Sequence, residues 1–200
     1  MGFGTLFFGC LLLFNVLPYY QITDVIMATI ILYALYRLNR FNKPLRVAYF
    51  ASYAFFAYSL FELVLGMRSL FNPLIEQGEF SSHIAIGRAL LLACVILPTL
   101  LGIRALAKEV DARDLYGRAT LATVIFSLGS LLTVLTSIPA FLSLFGAQGQ
   151  GALYGITLAV LLAQALFTVL TVWRAYATIC MPSENKPRAT KPTESKVKKK

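Results

Sequence analysis

The 200-residue chain has a single histidine, His83, and that scarcity alone removes several kinds of chemistry. An HExxH helix or any two-histidine metal site is impossible. No GxSxG, P-loop or GxGxxG pattern occurs either. His83 and Cys94 are eleven residues apart, about 16 Å along a helix, too far for a nucleophile and its base. Cysteine is sparse too: Cys10, Cys94 and Cys180 have no CxxC neighbour, so neither a disulfide framework nor a metal knuckle is indicated. They read as small apolar residues. No catalytic set, metal or cofactor is expected; an intramembrane enzyme using Asp24 and Glu62 alone is the remote alternative.

Charge is equally thin. Charged residues make up 14% of the chain, against about 25% in a soluble globule. Hydrophobic residues reach 58% and the mean hydropathy is +0.72. The apolar residues come in long blocks with charges confined between them, which is how a bilayer-embedded chain reads. The net charge of +9 does not point to nucleic acid, because the basic residues sit in two short loops and one tail beside apolar blocks. Residues 1–17 lack a basic n-region and an A-x-A site, so the first block is read as retained rather than as a cleaved signal.

Six blocks follow one another, at residues 2–17, 22–38, 47–67, 84–107, 119–145 and 152–177. Runs of this length without alternation are too long for barrel strands. In hydrocarbon every backbone amide must be satisfied within its own segment, so the blocks are helices. The expected fold is therefore all-α, an integral membrane bundle of six transmembrane helices over 1–178, followed by a disordered basic cytoplasmic tail over 179–200. The first two blocks are at the short limit for a core about 30 Å thick. Pro18 to Gln21, Asn72-Pro73 with Gly78, and Gly146 to Gly151 read as turns. Ser81 or Ser82 is the expected N-cap of the fourth helix. Pro98 and Pro139 are expected to kink helices four and five.

Lysine and arginine set the orientation. Arg37, Arg40, Lys43 and Arg46 occupy one loop; Arg104, Lys108, Arg113 and Arg118 occupy another; Arg174 and seven tail residues complete a set of sixteen. The opposite side holds only Arg68 and Arg88. This asymmetry places both termini in the cytoplasm. The tail has three prolines, seven basic residues and few apolar ones, so it cannot bury enough surface to fold. Next to an anionic leaflet each of its basic residues contributes about 1 kcal/mol of attraction. Its ending, Lys196-Val-Lys198-Lys-Lys, also matches a retrieval signal of the eukaryotic endoplasmic reticulum.

Ionisable residues inside a membrane cost about 2.5 to 3.5 kcal/mol each on insertion scales, so each needs a reason. Asp24, Glu62 and Arg88 qualify. Glu62 and Arg88 fall at similar depths on consecutive antiparallel helices, which predicts an ion pair between them. With Asn15 and Asp24 they outline a polar cluster near the outer face, with Arg68 and His83 at its rim. The same residues also suit a purely structural salt bridge. Helix six carries Gly151, Gly155, Ala159 and Ala163 at four-residue spacing, a stripe that lets helices approach closely. Packing within the molecule is expected there, ahead of a homo-oligomer or a partner-protein contact. Helix five is rich in hydroxyls, which bond backbone carbonyls or neighbouring helices, and Gln164 is expected to bond across to a neighbour.

The opening Met1-Gly-Phe-Gly-Thr-Leu-Phe-Phe-Gly, then Asn15, Tyr20, Thr23-Asp24 and Leu35-Tyr36-Arg37-Leu38, resembles a group of uncharacterised multi-pass membrane proteins of clostridial-type Gram-positive bacteria. The resemblance covers roughly the first 45 residues. It implies a bacterial plasma membrane, brings no activity with it, and removes the retrieval-signal reading. In size and six-helix layout the chain is also similar to the substrate-binding subunits of energy-coupling-factor vitamin transporters, without a matching motif. Two classes of function follow: a non-enzymatic membrane component that packs with partner proteins, and a protein that binds or transports a small solute or ion. Inverted three-helix repeats would favour transport, but Asp24 and Glu62 have no counterparts in the second half.

Overall fold

The computed structural model describes residues 2–14, 20–71 and 79–180, with the backbone alone at 14, 20, 21, 68–71, 79–82, 147 and 180. Asn15, the Pro18 and Asn72-Pro73 turns and the basic tail lie outside the described residues. Within them every regular element is helical. Helix α1 (Gly2–Leu11) runs into a 3-10 turn, Leu12–Phe14. Then come α2 (Tyr20–Leu38), α3 (Lys43–Phe71), α4 (Glu79–Glu109), α5 (Arg113–Thr136), the single turn α6 (Pro139–Leu142), and α7 (Ala147–Ala175), which ends in a π turn, Tyr176–Cys180.

Four segments are long and apolar enough to cross a membrane: Lys43–Met67, His83–Glu109, Arg113–Thr136 and Gln148–Ile179. Helix α2 has 19 residues, about 28 Å, close to the hydrocarbon thickness. Helix α1, with 10 residues, spans about 15 Å and is about half that thickness.

Helix ends depart from the sequence expectation where turn chemistry was misread. Helix α4 is already running at Glu79, so Ser81 and Ser82 lie inside it rather than at its N-cap, and it continues through Pro98 to Glu109. Helix α5 stops at Thr136 instead of bending through Pro139. The residue before a proline avoids the helical region. Ile138 accordingly is extended, and Pro139 opens α6 at the position where its missing N–H costs nothing. The glycines at 149 and 151 lie within α7, whose N-cap is the extended Gly146. Gln150 Nε2 donates to the Leu142 and Phe145 carbonyls, at 3.0 and 3.1 Å, and so ties the preceding turn to α7.

The helices pack in chain order, and α1 closes the sequence against α7 to give a ring α1–α2–α3–α4–α5–α7, with a lighter contact of α4 on α7 across it. Gly2 of α1 lies on Leu38 and Ala34, Gly9 lies on Ile30 and Ile31, and Gly4 lies on Tyr176. The start of α1 therefore sits beside the ends of α2 and α7. Outward faces are apolar, with Val64 63% and Leu158 60% exposed, while Ser52, Ser59, Thr99, Gln164 and Thr168 are buried in the ring. A soluble protein rarely exposes so many large apolar side chains in contiguous faces; this apolar exterior suits lipid as solvent.

At the end of the ring that carries the basic loops, two turns fix the packing. Asn42 caps α3, its Oδ1 accepting the Leu45 N–H at 3.0 Å, while its Nδ2 donates to the Gly102 carbonyl of α4 at 2.9 Å. A methyl group at Gly102 would lie 2.5 Å from Leu45 Cγ, and Leu45 is fully buried. Helix α4 ends in a Schellman motif: the Ala112 N–H bonds Ala107 O at 2.9 Å and the Asp111 N–H bonds Lys108 O at 3.3 Å. Asp111 holds the left-handed position of that motif, at φ 52, where glycine fits without a Cβ penalty.

Two substitutions test this packing by thermal unfolding in detergent micelles. Gly102→Ala forces Leu45 from its site and should destabilise by about 1–3 kcal/mol. Asp111→Gly relieves the left-handed strain and should stabilise by about 1 kcal/mol, since the only ion pair it gives up, to Arg113, is exposed at 3.8 Å. Unchanged melting for Gly102→Ala would contradict the close approach of α3 and α4.

Candidate functional site

Asp24 and Glu62 each continue the inward stripe of their helix. On α2 the buried positions Asp24, Met27, Ile31, Ala34 and Leu38 recur at helical spacing; on α3 Leu45, Ala48, Ser52, Phe55, Ser59 and Glu62 do the same. The helical period thus aims Asp24 and Glu62 at the ring interior. Arg88 enters it from α4.

Arg88 reaches Asp24 rather than the expected Glu62. Its Nη2 lies 2.8 Å from Oδ1, in hydrogen-bonding direction, and 2.7 Å from Oδ2. Asp24 is 1% exposed, whereas a third of the Arg88 side chain remains accessible. The two helices are not neighbours in the ring, so the pair links elements that do not otherwise pack together. Glu62 is buried at 5% exposure. It lies close enough to feel the charges of both Arg88 and Asp24, yet its Oε2 has no hydrogen-bond partner. One turn below, Tyr58 donates its hydroxyl to Ile84 O at 2.7 Å, and it packs so closely on Gly87 that a methyl there would meet the phenol oxygen at 2.7 Å. This contact holds α3 to α4 beside the charged group.

Of the remaining expected members, His83 is exposed. Arg68 lies in α3 with its side chain outside the described residues, and Asn15 lies outside them altogether. No group of three His, Cys, Asp or Glu side chains among the described residues is placed to hold a metal.

Behind Arg88 the ring forms a partly open cavity of about 270 Å³, with Arg88, Ser130, Thr133 and Gln164 in a wall otherwise made of leucine, alanine and methionine. The hydroxyls of α5 are mostly spent on their own helix: Thr120, Thr123, Ser127, Thr133, Thr136 and Ser137 each donate to the carbonyl four residues back. Ser130 is not among them. Gln164 does not bond across to a neighbouring helix as expected; its Oε1 is buried without a partner and packs against Gly129 of α5. Helical phase alone would have placed Gln164 inside, since it continues the buried stripe Thr157, Gln164, Thr168 and Thr171.

The stripe on α7 faces the other way. Gly151, Gly155 and Ala159 are exposed and Ala163 is half-buried, and a Cβ at either glycine would meet nothing within 4 Å. Among the described residues nothing packs on Gly151 or Gly155; the close helix contact of α7 runs instead through Gly129 of α5.

Comparison with known protein families, with curated proteins and with solved structures finds no match.

The pairing makes a graded prediction for stability in micelles. Arg88→Met leaves Asp24 buried and unpaired and should cost about 3 kcal/mol, at the low end for a broken buried pair because Arg88 is partly accessible. Glu62→Gln removes a carboxylate whose outer oxygen is already unsatisfied and should change stability by about 1 kcal/mol or less. Equal losses for the two variants would place the pair on Glu62 after all.

Proposed function

We propose that the chain is a bacterial plasma-membrane protein of six spans, with both termini in the cytoplasm, that binds a small solute in a polar site in the outer half of its helix ring. The observation that carries this reading is the cavity of about 270 Å³ with Arg88 in its wall, held there by Asp24. A salt bridge that served only to pin helices would be expected to be packed around; here its guanidinium borders open space. Small-ligand sites share this make-up, mostly apolar walls with a few convergent polar groups. The orientation rests on sixteen basic residues against two and on the nearness of Gly2 and Gly4 to Leu38 and Tyr176, which brings the start of α1 to the basic end of the ring.

A partner-packing role has its own support. The open face of Gly151, Gly155 and Ala159 on α7 offers a surface for another transmembrane helix, a second copy or a different protein. The basic tail would hold the cytoplasmic end against anionic lipids.

The binding reading is tested by thermal shift of the micelle-solubilised chain against neutral, anionic and cationic small solutes. A ligand at a hundred times its Kd stabilises by about 2.7 kcal/mol, so at least one class should raise the melting temperature of the wild type. Filling the cavity with Leu161→Trp should abolish the shift. If no solute shifts the wild type, or if Leu161→Trp responds like the wild type, the reading fails. Reporters fused at each end test the orientation separately: a periplasmic-active signal from either terminus would overturn it.

A further inference from the structure

The proposed site has a definite chemical preference, and this inference rests on the binding reading above. We infer that the cavity takes a neutral hydrogen-bonding head group on an apolar body, with the Gln164 amide and the Ser130 hydroxyl as its recognition groups. Gln164 is 7% exposed, borders the cavity and keeps an unpartnered Oε1. Burying an amide oxygen without a donor is costly; this one packs on Gly129, so a turn of the amide about its terminal bond brings it to the cavity, where a ligand donor relieves that cost. Ser130 borders the same space and, unlike six other hydroxyls between Thr120 and Ser137, is not spent on the carbonyl four residues back. It can donate or accept. Together they match a group that offers both a donor and an acceptor, such as a carboxamide or an alcohol.

Charged head groups are disfavoured from both sides. An anion would approach a guanidinium whose charge Asp24 already balances at 2.7 Å, with the Glu62 carboxyl close by. A cation would meet the guanidinium itself in the wall. The rest of the lining, including Leu12, Met27, Leu92 and Leu161, is apolar and suits an alkyl or aryl body. An empty apolar cavity of about 150 Å³ holds benzene, with its six heavy atoms. By that scale, the 270 Å³ here accommodates roughly eleven heavy atoms.

Saturation-transfer NMR on the chain in lipid nanodiscs, with empty nanodiscs as baseline, tests this with four probes: hexanamide, hexanoate, hexylammonium and heptane. Hexanamide should bind saturably above the baseline and more tightly than the other three. Gln164→Leu should weaken it about tenfold or more, and Ser130→Ala should weaken it by a smaller factor. If Gln164→Leu does not fold, Ser130→Ala together with the cavity-filling Leu161→Trp gives the same reading. Tighter binding of hexanoate or hexylammonium, blocked by Leu161→Trp, would overturn the neutral-ligand inference while leaving the cavity as a binding site. Equal hexanamide affinity in wild type, Gln164→Leu and Ser130→Ala would overturn the assignment of the recognition groups. Probes that bind no better than to empty nanodiscs would overturn both this inference and the reading beneath it.

Discussion

A charge inside hydrocarbon has to find its opposite, and in this chain Arg88 and Asp24 find each other across the interior of a helix ring. The pair constrains the rest. It requires α2 and α4 to turn these residues toward each other although the two helices are not neighbours in the ring. Removal of one partner alone leaves an uncompensated charge, so the two residues act as a unit. Glu62 is buried nearby, and its Oε2 has no hydrogen-bond partner.

Around that pair the backbone is satisfied at short range. Hydroxyls on α5 and α7 return to their own helices, at Thr133 and Thr168 among others. Glycines at 9, 87, 102 and 129 let neighbouring helices touch. The buried side-chain atoms without a hydrogen-bond partner among the described residues are Glu62 Oε2, Gln164 Oε1 and Asp24 Oδ2, the last of which lies 2.7 Å from Arg88 in the ion pair. They belong to the charged group itself or to the cavity that Arg88 lines.

Much of the architecture was legible in the residues. Long apolar runs bounded by basic loops gave the helical class and the spans corresponding to α3, α4, α5 and α7, because hydrocarbon leaves the backbone little choice. Helix ends were less legible. Glu79 to Ser82 read as loop but lie in α4, since polar composition does not by itself stop a helix that is held at both ends. The choice of partner for Arg88 was missed for a geometric reason. Depth along consecutive helices suggested Glu62, but depth says nothing of azimuth, and an arginine stem is long enough to reach past the adjacent helix. The α7 stripe was misplaced on similar grounds: four-residue spacing defines a face without saying which way it points. Phase relative to the buried Thr157, Gln164 and Thr168 would have turned it outward.

A double-mutant cycle on Asp24 and Arg88, with unfolding followed in lipid or mild detergent, measures the central interaction without reference to any ligand. Direct contact implies a coupling energy of about 1–3 kcal/mol between Asp24→Asn and Arg88→Met. Strictly additive losses, with coupling instead between Glu62 and Arg88, would show that the ring is organised around a different pair.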